Sequence, residues 1–242
     1  MTAEPPVAEP PVAEAPAGEP PAGPPDEPTG VRAMPMILRM ERAAPPTRTD
    51  LLEAAATAVV AVVHDPRSAP GGEWHDEVRV WSDARIRKLA RRARGAHWLA
   101  VQELAGVTVA VGTAEVRALV PSLVADPPRE VARLQITGSD LPVDEPGPPP
   151  AGMPVLWINP AVEMTVGKAA AQVGHASMLL AQTLDAATLA EWAVTGFRCA
   201  VRTPSARRWA DVVAAEGAVP VRDAGLTEVA PGTVTVIGRY PH

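Results

Sequence analysis

The 242-residue chain carries 28 acids against 22 lysines and arginines, a net charge of −6, with 47% apolar residues and 29 prolines. The apolar content can supply a core, while so many prolines exclude one continuous compact unit, and no apolar run reaches membrane length. A single cysteine, Cys199, excludes an intrachain disulfide and a cysteine metal cluster. No basic stretch followed by an apolar run opens the sequence, so a soluble cytoplasmic protein is expected.

Met1 to Gly30 is a repetitive Pro-Ala-Glu-Val tract without the large apolar side chains that offset chain entropy, and residues 1–33 are expected to form a disordered tail. A first unit over 34–121 reads as strand 36–40, helix 49–63, strand 77–81, helix 83–94, and strands 98–103 and 115–120. Residues 122–152 read as an acidic linker, stiffest at Leu141 to Pro150 (LPVDEPGPPP), where successive prolines favour extended backbone. A second unit over 153–242 begins with a buried strand at 155–159 and a helix at 168–183. A shorter helix at 185–195, a strand at 197–202 and a helix at 205–216 follow, the last with Pro204 at its start. Strands 219–222 and 233–238 close it as a hairpin pair around Ala230-Pro231-Gly232. The expected fold class is α/β: a small mixed four-stranded sheet flanked by helices. The acidity sits in the tail and linker, so the folded part is near neutral and an RNA partner stays open.

The two units echo one another. At an offset of 120, Ala100 to Pro121 aligns without a gap on Pro220 to Pro241, and 7 of 22 positions are identical, Gly112-Thr113 and Val116 among them. Met34-Pro35 echoes Met153-Pro154, and Glu73-Trp74 echoes Glu191-Trp192, in the same order. Three echoes in order point to a tandem duplication that packs as a pseudo-dimer within one chain.

Chemistry concentrates in the second unit. On the helix within Val166 to Ala176 (VGKAAAQVGHA), Lys168, Gln172 and His175 stand at i, i+4 and i+7 and share a face. Downstream, Asp223-Ala224-Gly225 can turn tightly because Gly225 lacks a Cβ, and Thr227 follows two residues later. In the first unit the offset of 120 puts Arg48, Leu52 and Ala55 opposite the three helix residues, and 119 puts Thr49, Glu53 and Ala56 there. Asp223 and Thr227 fall opposite Glu103 and Val107, so the first unit reads as a degenerate copy without this chemistry.

The pair of segments resembles the archaeal and eukaryotic type of peptidyl-tRNA hydrolase, whose pattern is a Gly-Lys-x-x-x-Gln-x-x-His-Ala helix and a later Asp-x-Gly-x-Thr segment. The resemblance covers the last third of the chain. It implies an esterase-type hydrolase that cleaves the ester between peptide and tRNA, recycling tRNA in translation and ribosome rescue. On this resemblance Lys168 would stabilise the developing oxyanion or bind the terminal phosphate, and Asp223 would orient or deprotonate the water. Thr227 and His175 complete the catalytic set. Gln172, Gly167, Thr233 and Thr235 would bind substrate or hold the carboxylate. The sequence departs from the family at Asn159-Pro160-Ala161-Val162, where the family has an Arg-Thr-Asp-Leu-like segment, and at Arg239-Tyr240, where it commonly has proline.

Other schemes find no residues. There is no Gly-x-Ser-x-Gly elbow, the five histidines never take metal-ligand spacing, and Gly167-Lys168 lacks the rest of a phosphate loop. No metal or other cofactor is expected. The expected helix at 83–94 carries six cations in ten residues, and from it Arg87 and Arg91 would contact tRNA phosphates. The alternative to the enzyme is a non-catalytic RNA- or protein-binding module on the same fold.

Overall fold

The computed structural model describes residues 30–138, 140–225 and 228–241. Most of the expected tail, residues 1–29, lies outside them. The first unit runs β1 (Arg32–Arg39), α1 (Arg48–Val63), α2 (His75–Asp83), β2 (Lys88–Ala93), α3 (Gly95–Val101), β3 (Gly106–Val111) and β4 (Ala114–Leu119). Short elements β5 (Ser122–Leu123) and α4 (Arg129–Ala132) follow. The second unit runs β6 (Val155–Ile158), α5 (Val166–Thr183), α6 (Ala186–Val194), β7 (Ala200–Arg202), α7 (Ala206–Ala214), β8 (Val219–Arg222) and β9 (Val234–Arg239).

The sheets have the same wiring. The first is ordered β2-β1-β4-β3 and the second β7-β6-β9-β8, each with one parallel pair at one edge and antiparallel pairs elsewhere. Two mixed α/β units of one topology are consistent with tandem duplication.

Within the first unit three expectations were overturned. Residues 77–81 lie in helix α2, where Val78 and Trp81, three apart, both turn inward and the Trp81 indole N–H donates to Arg87 O at 2.9 Å. Residues 98–101, expected as strand, end helix α3, from which Trp98 and Val101 are buried. Residues 88–93, expected as helix, form β2 in parallel register with β1, Met36 opposite Ala90. Its Arg, Leu and Ala residues favour a helix when taken alone, but pairing against the buried β1 decides otherwise, and propensity is the weaker term. β3 is an element that the periodicity did not mark.

Pairing also sets the true register of the repeat. Met36 lies opposite Ala118 and Leu156 opposite Gly238, so β1 and β4 map on β6 and β9 at 120. Across the neighbouring parallel pair, Ala90 joins Met36 as Val201 joins Leu156, an offset of 111. That same 111 carries Trp81 onto Trp192, whose indole donates to Arg198 O at 2.8 Å, so the counterpart of Trp192 is Trp81 rather than Trp74. In the hairpins, Val109 faces Val116 while Val221 faces Val236. The second hairpin is thus longer, and its extra residues form the loop that follows Asp223.

Helices α1 and α5 pack against each other between the sheets. Nearly all faces of both are buried, as expected of helices that have lost any solvent side. Besides its own sheet, α1 touches β7 and α5 touches β2, the counterpart strands. One apolar cluster therefore runs from Met36 and Leu38 through Val59 and Val173 to Leu156 and Val236. Approach is close at Gly174, where an added Cβ would lie 2.8 Å from Val59 Cγ2, and the Ser177 hydroxyl donates to Ala56 O at 2.8 Å.

Of the stretch expected as linker, β5 pairs with Arg32 and Ala33, and Val131 and Leu134 pack with Ile37, Trp98 and Leu119. Further on, Asp144 accepts from the Thr49 amide at 3.1 Å and hydroxyl at 2.9 Å, and Arg202 Nε donates to Gly147 O at 2.8 Å. Among the described residues no helix is long and apolar enough to cross a membrane.

Candidate active site between the two units

Thr165 starts α5. Its hydroxyl accepts the Lys168 amide at 3.2 Å, and in turn its own amide and hydroxyl donate to Glu228 at 3.0 and 2.8 Å. A carboxylate beside a helix N-terminus is favourably placed against the helix dipole. Capping fixes the helix start, and 3.6-residue periodicity then puts Lys168, Gln172 and His175 on one wall of a cavity of about 410 Å³.

Asp223 faces them from the end of β8. Its amide donates to Thr233 O at 2.9 Å, and its carbonyl accepts from Gly232 N at 2.7 Å, so the loop is anchored at both ends. Gly225, at φ +75°, donates its amide to Asp223 Oδ1 at 2.8 Å. An added Cβ there would come within 2.3 Å of Pro231 Cγ, so the turn requires glycine for space as well as for φ.

Asp223 Oδ2 takes Lys168 Nζ as an ion pair and Gln172 Nε2 at 2.7 Å, both largely out of solvent. Gln172 Oε1 accepts the Thr235 hydroxyl at 2.6 Å. Thr235 therefore reaches the carboxylate only through Gln172. Thr233 acts through its backbone, and Gly167 lines the cavity. Thr227 lies outside the described residues.

The opposite wall belongs to the first unit. Ile86, Arg87, Lys88, Leu89 and Ala90 line the same cavity. Lys88 Nζ stands 3.0 Å from His175 Nδ1 and 5.0 Å from the Trp81 ring centroid. Burial pushes the Lys88 amine well below the usual lysine range. Burial, aided by the charges of Lys88 and Lys168, likewise pushes the His175 imidazole well below its ordinary value. Arg87 thus meets the cavity, whereas Arg91 Nη1 donates to Leu134 O at 2.9 Å on the far side of the strand. The two do not share a helical face.

The corresponding place in the first unit is neutralised. Thr47 caps α1 as Thr165 caps α5, which puts Asp50, Ala54 and Thr57 at the positions of Lys168, Gln172 and His175. Asp50 accepts from the Thr113 amide and hydroxyl, both at 2.8 Å, and an added Cβ on Gly112 would strike its carboxylate. Where Lys88 meets His175, the counterpart contact is Cys199 Sγ with the Thr57 hydroxyl at 3.9 Å.

Two features escaped the sequence reading. Lys88 reaches the site from 87 residues away, by way of a strand that local propensity hides. Arg48-Thr49-Asp50-Leu51, the tetrapeptide type missing before α5, opens α1, and the Arg48 guanidinium donates to Met164 O at 3.2 Å. Asn159, which opens the segment where the sequence resemblance leads one to expect that tetrapeptide, ties β6 to Val234 O at 2.8 Å and turns the chain through the Ala161 amide at 2.9 Å. Among the described residues no group of His, Cys, Asp and Glu is placed to hold a metal ion. The network is confined to the second unit, and that unit, residues 153–242, matches the family model Peptidyl-tRNA hydrolase PTH2.

Proposed function

We propose that the chain is a peptidyl-tRNA hydrolase that cleaves the ester between peptide and tRNA in the cytoplasm, returning tRNA to translation as in ribosome rescue. The observation that carries this reading is the buried Lys168–Asp223–Gln172–Thr235 network, set in a cavity of a unit that matches this family. Lys168 places a cation where the carbonyl oxygen gains charge, and Asp223, fixed by three donors, holds the attacking water. Donors preorganised in a cavity act more strongly than in bulk water because nothing reorganises as charge develops. The first unit is a degenerate copy that replaces a second subunit, and Arg87, which lines the cavity, contacts a phosphate of the substrate.

Release of peptide from peptidyl-tRNA by the full chain, beside aminoacyl-tRNA and a simple ester, tests the proposal. Turnover of peptidyl-tRNA alone, with Lys168→Ala and Asp223→Asn slower by about 100-fold or more, is expected. Tight binding of tRNA with no release would instead favour the non-catalytic binding module.

A further inference from the structure

Of the 22 lysines and arginines in the chain, two are lysines, Lys88 and Lys168, and both line the same cavity from opposite units. The distinction is chemical: a guanidinium stays charged at any physiological pH, while an amine in a dry site can exist uncharged and accept a proton. Lys168 is ion-paired with Asp223. Lys88 faces an imidazole and an indole ring, and among the described residues no carboxylate pairs with it.

The other titratable or charged groups lining this cavity are Arg87 just before β2, His175 and Lys168 on α5, Arg222 on β8, and Asp223 and Glu228 in the loop. Asp223 is committed to Lys168, Gln172 and Gly225, and Glu228 to the Thr165 cap. The Lys88–His175 pair is the basic group left on the wall. Its pseudo-symmetric counterpart, Cys199 with Thr57, holds neither amine nor imidazole, so the shared fold does not require the pair.

We propose that Lys88, donated by the N-terminal unit, is a further reaction-site residue that, together with His175, accepts the proton of the attacking water. This rests on the hydrolase reading. The water oxygen bonds to the acyl carbon, its proton passes to the pair, and the carbonyl π electrons move to the oxygen beside Lys168. On collapse the bond from carbon to the ribose oxygen breaks, and that oxygen takes the proton back from the pair. Acid and free hydroxyl result, the acid then losing its proton to solvent.

Lys88→Met removes the amine and keeps the stem, whereas Lys88→Arg keeps a cation that cannot act as a base. Both are expected to lower kcat on peptidyl-tRNA by about 100-fold or more, to leave KM within about 3-fold, and to abolish the acid limb of the pH–rate profile. Melting curves of both variants check that they fold. Labelling with [13C]lysine gives two side-chain signals in the wild type, and the one lost in Lys88→Met should titrate well below the ordinary lysine range. A Lys88→Arg enzyme within about 3-fold of wild type, or a Lys88 signal that titrates as an ordinary lysine, overturns the proposal while the hydrolase reading stands. A wild-type chain that releases no peptide sinks both.

Discussion

Replacing Gln172 by leucine tests whether the site is one network. The amide donates to Asp223 Oδ2 at 2.7 Å and accepts from the Thr235 hydroxyl at 2.6 Å, and it is 5% exposed, so neither bond can be handed to water. A hydrogen bond to a charged group contributes about 1.5–3 kcal/mol and a neutral one about 1. Leucine is nearly isosteric and recovers about 1 kcal/mol through apolar burial. Asp223 retains Lys168 and Gly225, while the Thr235 hydroxyl falls back on Val221 O at a long 3.4 Å. The net cost should be about 1.5–3 kcal/mol. Thr235→Val alone leaves the Gln172 carbonyl without its donor and should cost about 1–2 kcal/mol; added to Gln172→Leu, it carries no such penalty. Urea unfolding of the wild type, the two single variants and the double variant should therefore show a coupling of about 1–2 kcal/mol, and kcat should fall with Gln172→Leu as Asp223 loses a positioning donor. Additivity within about 0.5 kcal/mol would refute the network.

Gly225→Ala should destabilise by about 1–3 kcal/mol and slow turnover, because the new Cβ meets Pro231 and φ is +75°; an unchanged melting temperature would refute the steric argument. Burial alone would raise the Asp50 carboxyl, but donation from the Thr113 amide and hydroxyl and from the Thr47 hydroxyl outweighs it and lowers the group below its ordinary value. The resulting stability is present above the unfolded-state value and is lost as pH falls through the folded one. Asp50→Asn should therefore be less stable than wild type at neutral pH, with the gap closing in acid, as pH-dependent denaturation will show. Burial chiefly, with the nearby Glu53 charge, pushes the Cys199 thiol up to about 12 against an opposing bond to Thr57, so native protein should resist thiol reagents at pH 8 and react on unfolding. Asp144→Ala should free the segment around Leu141 to Pro150 from Thr49 and speed its proteolysis, read as cleavage rate under native conditions.

Local sequence was enough to read the second unit and half of its site. Helical periodicity put Lys168, Gln172 and His175 on one wall, and Gly225 announced the turn that aims Asp223, because both depend on local backbone geometry. Strands 155–158 and 234–239 were legible as apolar runs, and the Gly-Thr step before the last strand marked the repeat. Everything else depended on long-range packing. The Lys88–Ala93 segment is helix-prone by composition and becomes a strand because β1 offers it a parallel edge, and this converts an expected RNA-binding face into a cavity wall. The gapless repeat breaks where the second hairpin lengthens, which moves the counterpart of Asp223 from Glu103 to the Gly112 turn after Val111. The meeting of Lys88 with His175 depends on how α5 docks against the edge of the other sheet, a contact between distant segments that no local pattern encodes.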